Sequence, residues 1–157
     1  MGLTRILAGV ALAAALIGTA GAVALPPVGL WQGQYDCAQG RTALALQITA
    51  ESPRRVSAIF YFHALAANPH VPRGCFMMRG HYDATTRRIT LAPTRWLAHP
   101  PFYVWVALSG RVGPGGNAIT GHITGPACSV FALVRSFTPP VPPAPAPCRM
   151  DQNGPTV

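Results

Sequence analysis

Residues 29–37 are Gly29-Leu30-Trp31-Gln32-Gly33-Gln34-Tyr35-Asp36-Cys37. Successive side chains of a β-strand point to opposite faces, so Trp31, Tyr35 and Cys37 share one face of an extended chain. The polar side chains between them share the other face. This alternation predicts a half-buried β-strand at the start of the folded domain.

About seven further short runs with strand character follow, and the last covers residues 130–135. Turns rich in Gly, Pro, Asn or Asp separate most of them. Sequential strands with short connections favour an up-and-down meander, and closure removes the two exposed edges of an open sheet. We therefore predict an all-β fold over residues 25–138, an eight-stranded antiparallel up-and-down barrel.

Two proline-containing stretches, residues 64–73 and 93–101, interrupt the strand pattern and are expected to be irregular. Both would overhang one mouth of the barrel. The run at 56–63 is apolar on both faces near its end, so another segment should cover its outer side. From residue 139 the composition changes to Pro, Ala and Val, which predicts a polyproline-type tail over residues 139–157.

The first segment, residues 1–24, has a basic residue near its start, an apolar run and then small residues. This order predicts a signal peptide, cleaved after Ala22 or Ala24. The apolar run is shorter than the roughly 20 residues of a membrane span, although a retained anchor is the alternative. We therefore expect a periplasmic or secreted bacterial protein that does not span the membrane.

The four cysteines of an exported chain predict two disulfides, with three possible connectivities. In an alternating meander Cys37, Cys75 and Cys128 lie at one mouth, and Cys37 and Cys128 are on neighbouring strands. We therefore predict the pairs Cys37–Cys128 and Cys75–Cys148, the second tying the tail across the opening. Because Cys37 and Cys128 differ in strand parity, the first pair would require a bulge. Neither Cys nor His has zinc-ligand spacing, so we expect no metal and no cofactor.

All 12 basic residues are Arg and only 4 residues are acidic; the net charge of +8 becomes +7 once Arg5 leaves with the signal peptide. Such a balance attracts phosphate, lipid head groups, acidic proteins or nucleic acid. The alternative is a solubilising surface, because the pairs Arg54-Arg55 and Arg87-Arg88 lie at separate predicted turns. We expect no nucleic-acid partner.

Gly29-Leu30-Trp31 at the start of the first strand, with Arg135 at the end of the last, resembles the structural signature of the calycin superfamily, the lipocalins and their relatives. The resemblance implies that Trp31 lies at the closed base of the barrel and that Arg135 packs across it. A guanidinium over an indole contributes roughly 0.5–2 kcal/mol. Lipocalins usually carry a helix after the barrel, whereas this chain has the proline tail.

Two exported inhibitor families are also similar. Gly29, Trp31 and Cys37 resemble the early motif of bacterial inhibitors of secreted metalloproteases, but only residues 25–28 precede it, where those inhibitors have an arm that enters the protease cleft. Residues 35–40 are similar to the opening of periplasmic lysozyme inhibitors. Most lysozymes are basic and would repel a chain of net charge +7, so this reading ranks last.

The sequence contains no recognisable catalytic constellation. Its five histidines are spread over separate segments, and none of its four carboxylates is placed to pair with another as acid and base. No Gly-x-Ser-x-Gly nucleophile motif occurs. We therefore expect a non-catalytic protein.

Aromatic and imidazole side chains gather around the 93–101 stretch, and a barrel of this size is just wide enough for one small ligand. The leading hypothesis is a monomeric exported binding protein for a small apolar or amphiphilic ligand, with or without an anionic group, held at the mouth. The candidate binding residues are Phe62, Arg73, Arg79, Arg95, Trp96, His99 and Tyr103, with the arginines as counter-charge. Alternatively, side chains fill the interior, and the protein is a monomeric inhibitor or interaction module acting on an exported enzyme.

Overall fold

The computed structural model describes residues 25–149. The predicted signal peptide, residues 1–24, and the end of the predicted tail, residues 150–157, lie outside the described residues. Within the described chain, no helix has the length and hydropathy needed to cross a lipid bilayer.

Eight antiparallel strands close into a barrel, in which each strand pairs with the next and the last pairs with the first. The strands are β1 (Gly29–Cys37), β2 (Gly40–Ala50), β3 (Arg55–His63), β4 (Gly74–Asp83), β5 (Arg88–Ala98), β6 (Ala107–Val112), β7 (Ala118–Thr124) and β8 (Val130–Ser136). A single-turn 3₁₀ helix follows at Ala146–Cys148. The predicted fold class is confirmed.

The alternating strand directions give the barrel two different ends. The connections 38–39, 64–73, 99–106 and 125–129 lie at one end, which we call the mouth. The turns 51–54, 84–87 and 113–117 lie at the other end, the base, together with the segments before β1 and after β8. Large buried side chains such as Ile48, Val56 and Ile119 fill the interior toward the base.

Trp31 closes the base. Its side chain is 0% exposed, and its indole Nε1 donates a hydrogen bond to the carbonyl of Pro27 at 2.9 Å. Arg135 is its partner on β8, and the guanidinium carbon lies 4.3 Å from the centroid of the indole. Arg135 also donates to the carbonyl of Val28 at 2.7 Å, which ties the segment before β1 to the barrel.

Two inward-facing glycines allow the strands to approach closely. A Cβ at Gly33 would overlap the carbonyl of Ala132 on β8, and one at Gly80 would overlap the carbonyl of Thr90 on β5. Any larger residue at either position would push neighbouring strands apart, so these positions require glycine.

β5 is longer than the sequence predicts, because the expected irregular stretch at 93–101 begins only after Ala98. Pairing of β5 with β6 ends at Leu91, and the register between β4 and β5 shifts near Met77 and Met78. A proline is tolerated where a strand lacks a neighbour on one side or lies at a bulge, so Pro93 does not end β5. Alternation of Val104, Val106, Leu108 and Val112 predicts a strand from residue 104, but β6 begins only at Ala107.

Both predicted disulfides are present, Cys37–Cys128 and Cys75–Cys148. The expected bulge is wrong, because Cys128 lies in the 125–129 connection and not in β8, where strand parity would constrain it. The expected path of the tail is also wrong. Cys148 is buried against the outer side of the barrel wall with Leu30, Ala45 and Tyr61, so the tail does not cross the opening.

The tail covers the outer side of β3, the strand that is apolar on both faces. The Tyr61 hydroxyl donates to the carbonyl of Pro142 at 3.0 Å, and Ala144 packs on the same outer cluster. The chain between β8 and Cys148 therefore forms a second layer over one side of the barrel and leaves the mouth open.

Candidate functional site

A cavity of about 270 Å³ opens at the mouth of the barrel. Inward-facing side chains of β1, β3 and β4 form most of its inner surface, and the 99–106 and 125–129 connections form its rim. Its principal lining residues are Tyr35, Phe60, Phe62, Phe76, Tyr103 and Val106. The interior is therefore filled toward the base and open at the mouth.

Packed aromatic rings form the walls of this cavity. Phe60 and Phe76 are stacked with their ring centroids 4.6 Å apart, and Tyr35 meets Phe60 edge-on at 5.4 Å. Phe62 is stacked on Tyr103 at 5.2 Å. Because aromatic pairs in these geometries hold one another in place, the cavity has preformed apolar walls.

The polar groups at the cavity are neutral. The Gln39 amide nitrogen donates to the Tyr35 hydroxyl at 3.0 Å and to Thr42 Oγ1 at 3.3 Å. Burial raises the pKa of the Tyr35 phenol far above its ordinary value, so this group keeps its proton at physiological pH. Among the described residues, no charged side chain lines the cavity.

Trp96 and His99 support the rim and do not line the cavity. The Trp96 ring lies edge-on to Phe76 at 5.0 Å and is stacked on His99 at 4.2 Å. His99 Nε2 donates to the carbonyl of Tyr103 at 2.8 Å, in the tautomer that carries the proton on this nitrogen. These contacts fix Tyr103 against Phe62. Trp96 Nε1 is buried and has no hydrogen-bond partner within the described chain.

The three candidate arginines lie in different places. Arg73 is exposed at the end of the 64–73 connection, and its charge partly offsets the burial that raises the pKa of Tyr61. Arg95 is exposed on β5 opposite Met77, three residues before the mouth end of the strand. Arg79 points outward, with its Nε 3.3 Å from a carboxylate oxygen of Glu51, a residue at the base. The structure therefore does not place Arg79 at the mouth.

Of the candidate residues, Phe62, Trp96, His99 and Tyr103 form one connected aromatic group. Tyr35 and Gln39 line the cavity but are not among the residues predicted from the sequence, although the strand alternation places Tyr35 on the inner face of β1. The Cys37–Cys128 disulfide also lines the cavity. The position of this disulfide at the cavity depends on the pairing of Cys128 with Cys37 and on the location of Cys128 in a connection, and the strand alternation predicts only the first.

Phe102 is the most unusual residue of the rim. Its side chain is fully exposed, and its backbone is in the left-handed region with φ of 67°. A bulky residue rarely adopts this conformation, and such strain concentrates at binding and switch segments. Val104 and Trp105 are also exposed in the same connection.

The chain matches no protein-family model and no curated protein. Its class is therefore defined by its geometry, a closed eight-stranded antiparallel barrel with two disulfides. The Trp31–Arg135 contact at the base is consistent with a calycin-like fold. Within residues 25–149, no cluster of three or more His, Cys, Asp or Glu side chains is arranged to hold a metal ion.

Proposed function

We propose that this protein is a non-catalytic binding protein that holds the apolar part of a small amphiphile in the mouth cavity. The observation that carries this proposal is the cavity of about 270 Å³ with walls of packed aromatic rings. Small-molecule sites are typically concave and mostly apolar, and they enclose roughly 300–1,000 Å³ for drug-sized ligands. A cavity just below that range suits the apolar part of a small amphiphile, such as one of its aromatic ring systems or a short alkyl chain, with the rest of the molecule outside.

The cavity favours the apolar end of an amphiphile inside and its charged end outside. Its neutral lining would make burial of a charged group unfavourable, so an anionic head group would stay outside. Arg73, exposed in the 64–73 connection at the mouth end of the barrel, is the residue that we propose as the counter-charge; it does not line the cavity itself. The Tyr35 hydroxyl and the Gln39 amide can hydrogen-bond to a neutral polar atom of the ligand inside.

Export and ligand carriage of the lipocalin kind belong to the same proposal. The predicted signal peptide and the two disulfides are compatible with an oxidising compartment outside the cytoplasm. In this proposal, the protein acts as a monomer in the periplasm or outside the cell.

The variant Ala38→Trp tests this proposal. Ala38 is an exposed residue at the rim of the cavity, in the tight connection between β1 and β2. An indole at this position is expected to obstruct the opening through which the ligand would enter. With 1-anilinonaphthalene-8-sulfonate, an anionic aromatic amphiphile, as the probe, we expect fluorescence titration to show at least about tenfold weaker binding than wild type.

The matched control is Thr85→Trp, which adds the same side chain at an exposed turn of the base. It should bind the probe like wild type, and both variants should keep the thermal transition of the native fold. Equal probe binding by folded wild type and folded Ala38→Trp would show that the probe does not bind in the mouth cavity.

The exposed rim supports a second candidate, a protein-binding inhibitor or interaction module acting on an exported enzyme. Phe102, Val104 and Trp105 present apolar surface beside the cavity, and the strained backbone of Phe102 suits a recognition loop. Loss of mouth binding in Ala38→Trp favours the amphiphile. No probe binding by any variant favours the protein partner.

A further inference from the structure

A group of outward-facing basic residues covers four neighbouring strands, β3 to β6. We call this surface the basic wall, and it consists of Arg55, Arg79, His81, Arg88 and Arg111. Along the sequence, Arg55 and Arg88 belong to separate pairs at turns. The closed sheet brings them onto one face, where each alternates with a buried inward residue such as Val56 or Ile89.

The strand register arranges the donors of the basic wall in rows. Arg55 lies opposite His81, and His81 lies opposite Thr90 on the next strand. Thr90 in turn lies opposite Ser109. With strands about 4.8 Å apart, one guanidinium, one imidazole and two hydroxyl groups form a row that crosses all four strands.

One contact within the basic wall opposes the stability of the barrel. Arg88 and Arg111 lie directly opposite one another, and like charges in such a pair destabilise a sheet. Arg88 contacts the hydroxyl of Ser109 at 3.4 Å. Among residues 25–149, the salt bridges are those of Arg41 and Arg79, so neither Arg88 nor Arg111 forms one. Asp83 lies opposite Arg88 on β4, whereas Arg111 has Arg88 and Thr120 as its neighbours across the sheet.

The basic wall borders a concave groove of about 590 Å³ on the outside of the barrel. The groove lies beside the point where pairing of β5 with β6 ends at Leu91. Small residues line it, among them Gly80, Thr90, Ala92, Ala107 and Ser109. Arg55, Arg79 and His81 stand around these small residues. Glu51 also lines the groove and forms a salt bridge with Arg79 at 3.3 Å, so the two arginines leave the groove basic on balance.

We propose that this groove and the basic wall bind a linear acidic polysaccharide. A single sugar chain with sulfate or carboxylate groups matches a groove that has small residues and hydroxyls on its floor and guanidinium groups beside them. A folded acidic protein would meet a convex barrel wall and leave the groove unfilled. This proposal does not rest on ligand binding at the mouth.

Other polyanions match this surface less well. The exposed large apolar side chains of the described chain lie in the connections, on β8 or in the terminal segments, and none lies on β3 to β6. The basic wall therefore has no aromatic platform on which nucleic-acid bases could stack. It also has no apolar side chain that could enter a lipid bilayer.

The test measures binding of a fluorescently labelled short heparin fragment to the full folded chain by anisotropy. The basic-wall variant is Arg55→Ser/Arg111→Ser, which removes one arginine that lines the groove and one member of the like-charge pair. The control is Arg41→Ser/Arg149→Ser, which removes the same charge from exposed positions outside the basic wall. We expect binding that weakens between about 50 and about 200 mM salt. The basic-wall variant should bind about tenfold more weakly than wild type, and the control within about twofold.

Thermal unfolding provides a second readout. Because the basic-wall variant removes a like-charge pair, its melting temperature should equal or exceed that of wild type. Equal losses of heparin binding in the two variants would show that binding depends only on net charge, and this result would overturn the proposal. Tighter binding of an oligothymidylate of equal charge, or no heparin binding at low salt, would also overturn it.

Discussion

Trp31→Ala is expected to lower the free energy of unfolding by about 3–5 kcal/mol, the range for truncating a large buried aromatic side chain. The variant removes a fully buried indole at the base, its hydrogen bond to Pro27 and its contact with the guanidinium of Arg135. It also leaves a cavity where β1 and β8 close the barrel. Guanidinium chloride unfolding, followed by circular dichroism, measures the loss.

Trp105→Ala is the matched control, because this indole is 40% exposed in the 99–106 connection. Its loss should stay below about 1 kcal/mol, as expected for a partly exposed residue outside the core. Similar losses for the two variants would contradict the assignment of Trp31 as the residue that closes the base.

Removing the Cys37–Cys128 disulfide by the double change Cys37→Ala/Cys128→Ala should lower the free energy of unfolding by about 4–5 kcal/mol in the chain-entropy model. The two cysteines are 91 residues apart, so the crosslink strongly restricts the unfolded chain. Because the disulfide also lines the mouth cavity, the variant should bind the anionic amphiphile probe more weakly than wild type. Denaturant unfolding and fluorescence titration measure the two effects.

The other disulfide provides a control for this prediction. Cys75 and Cys148 are 73 residues apart and attach the tail to the outer wall, away from the mouth cavity. Cys75→Ala/Cys148→Ala should therefore cause a similar loss of stability but retain probe binding. Weaker probe binding in both double variants to the same degree would show that the effect follows from lost stability and not from the cavity wall.

The fold is predicted well because the alternation of apolar and polar residues can be recognised within each strand, without knowledge of its neighbours. The face shared by Trp31, Tyr35 and Cys37 is the inner face of β1, and the pairing Cys37–Cys128 follows from alternating strand directions. The bounds of β5 and β6 could not be predicted in the same way. Whether Pro93 interrupts a strand depends on which neighbours are paired at that position, and these lie on other segments.

The candidate site is predicted from the sequence less completely than the fold. Aromatic composition identified Phe62 and Tyr103, which the structure stacks together at the mouth. It could not show that Arg79 points away toward Glu51, because the direction of a surface side chain depends on register and on its neighbours. For the same reason, the sequence alone does not reveal that Arg88 and Arg111 adjoin on the outer wall.

Ligand carriage in the mouth cavity is tested most directly by native mass spectrometry of the wild-type protein, purified without organic solvent from the cells that produce it. The proposal predicts a discrete adduct that organic extraction removes and that the Ala38→Trp variant lacks. The mass of the adduct would also give the class of the ligand. A bare mass with two intact disulfides in every gentle preparation of wild type would contradict ligand carriage and favour a protein partner at the exposed rim.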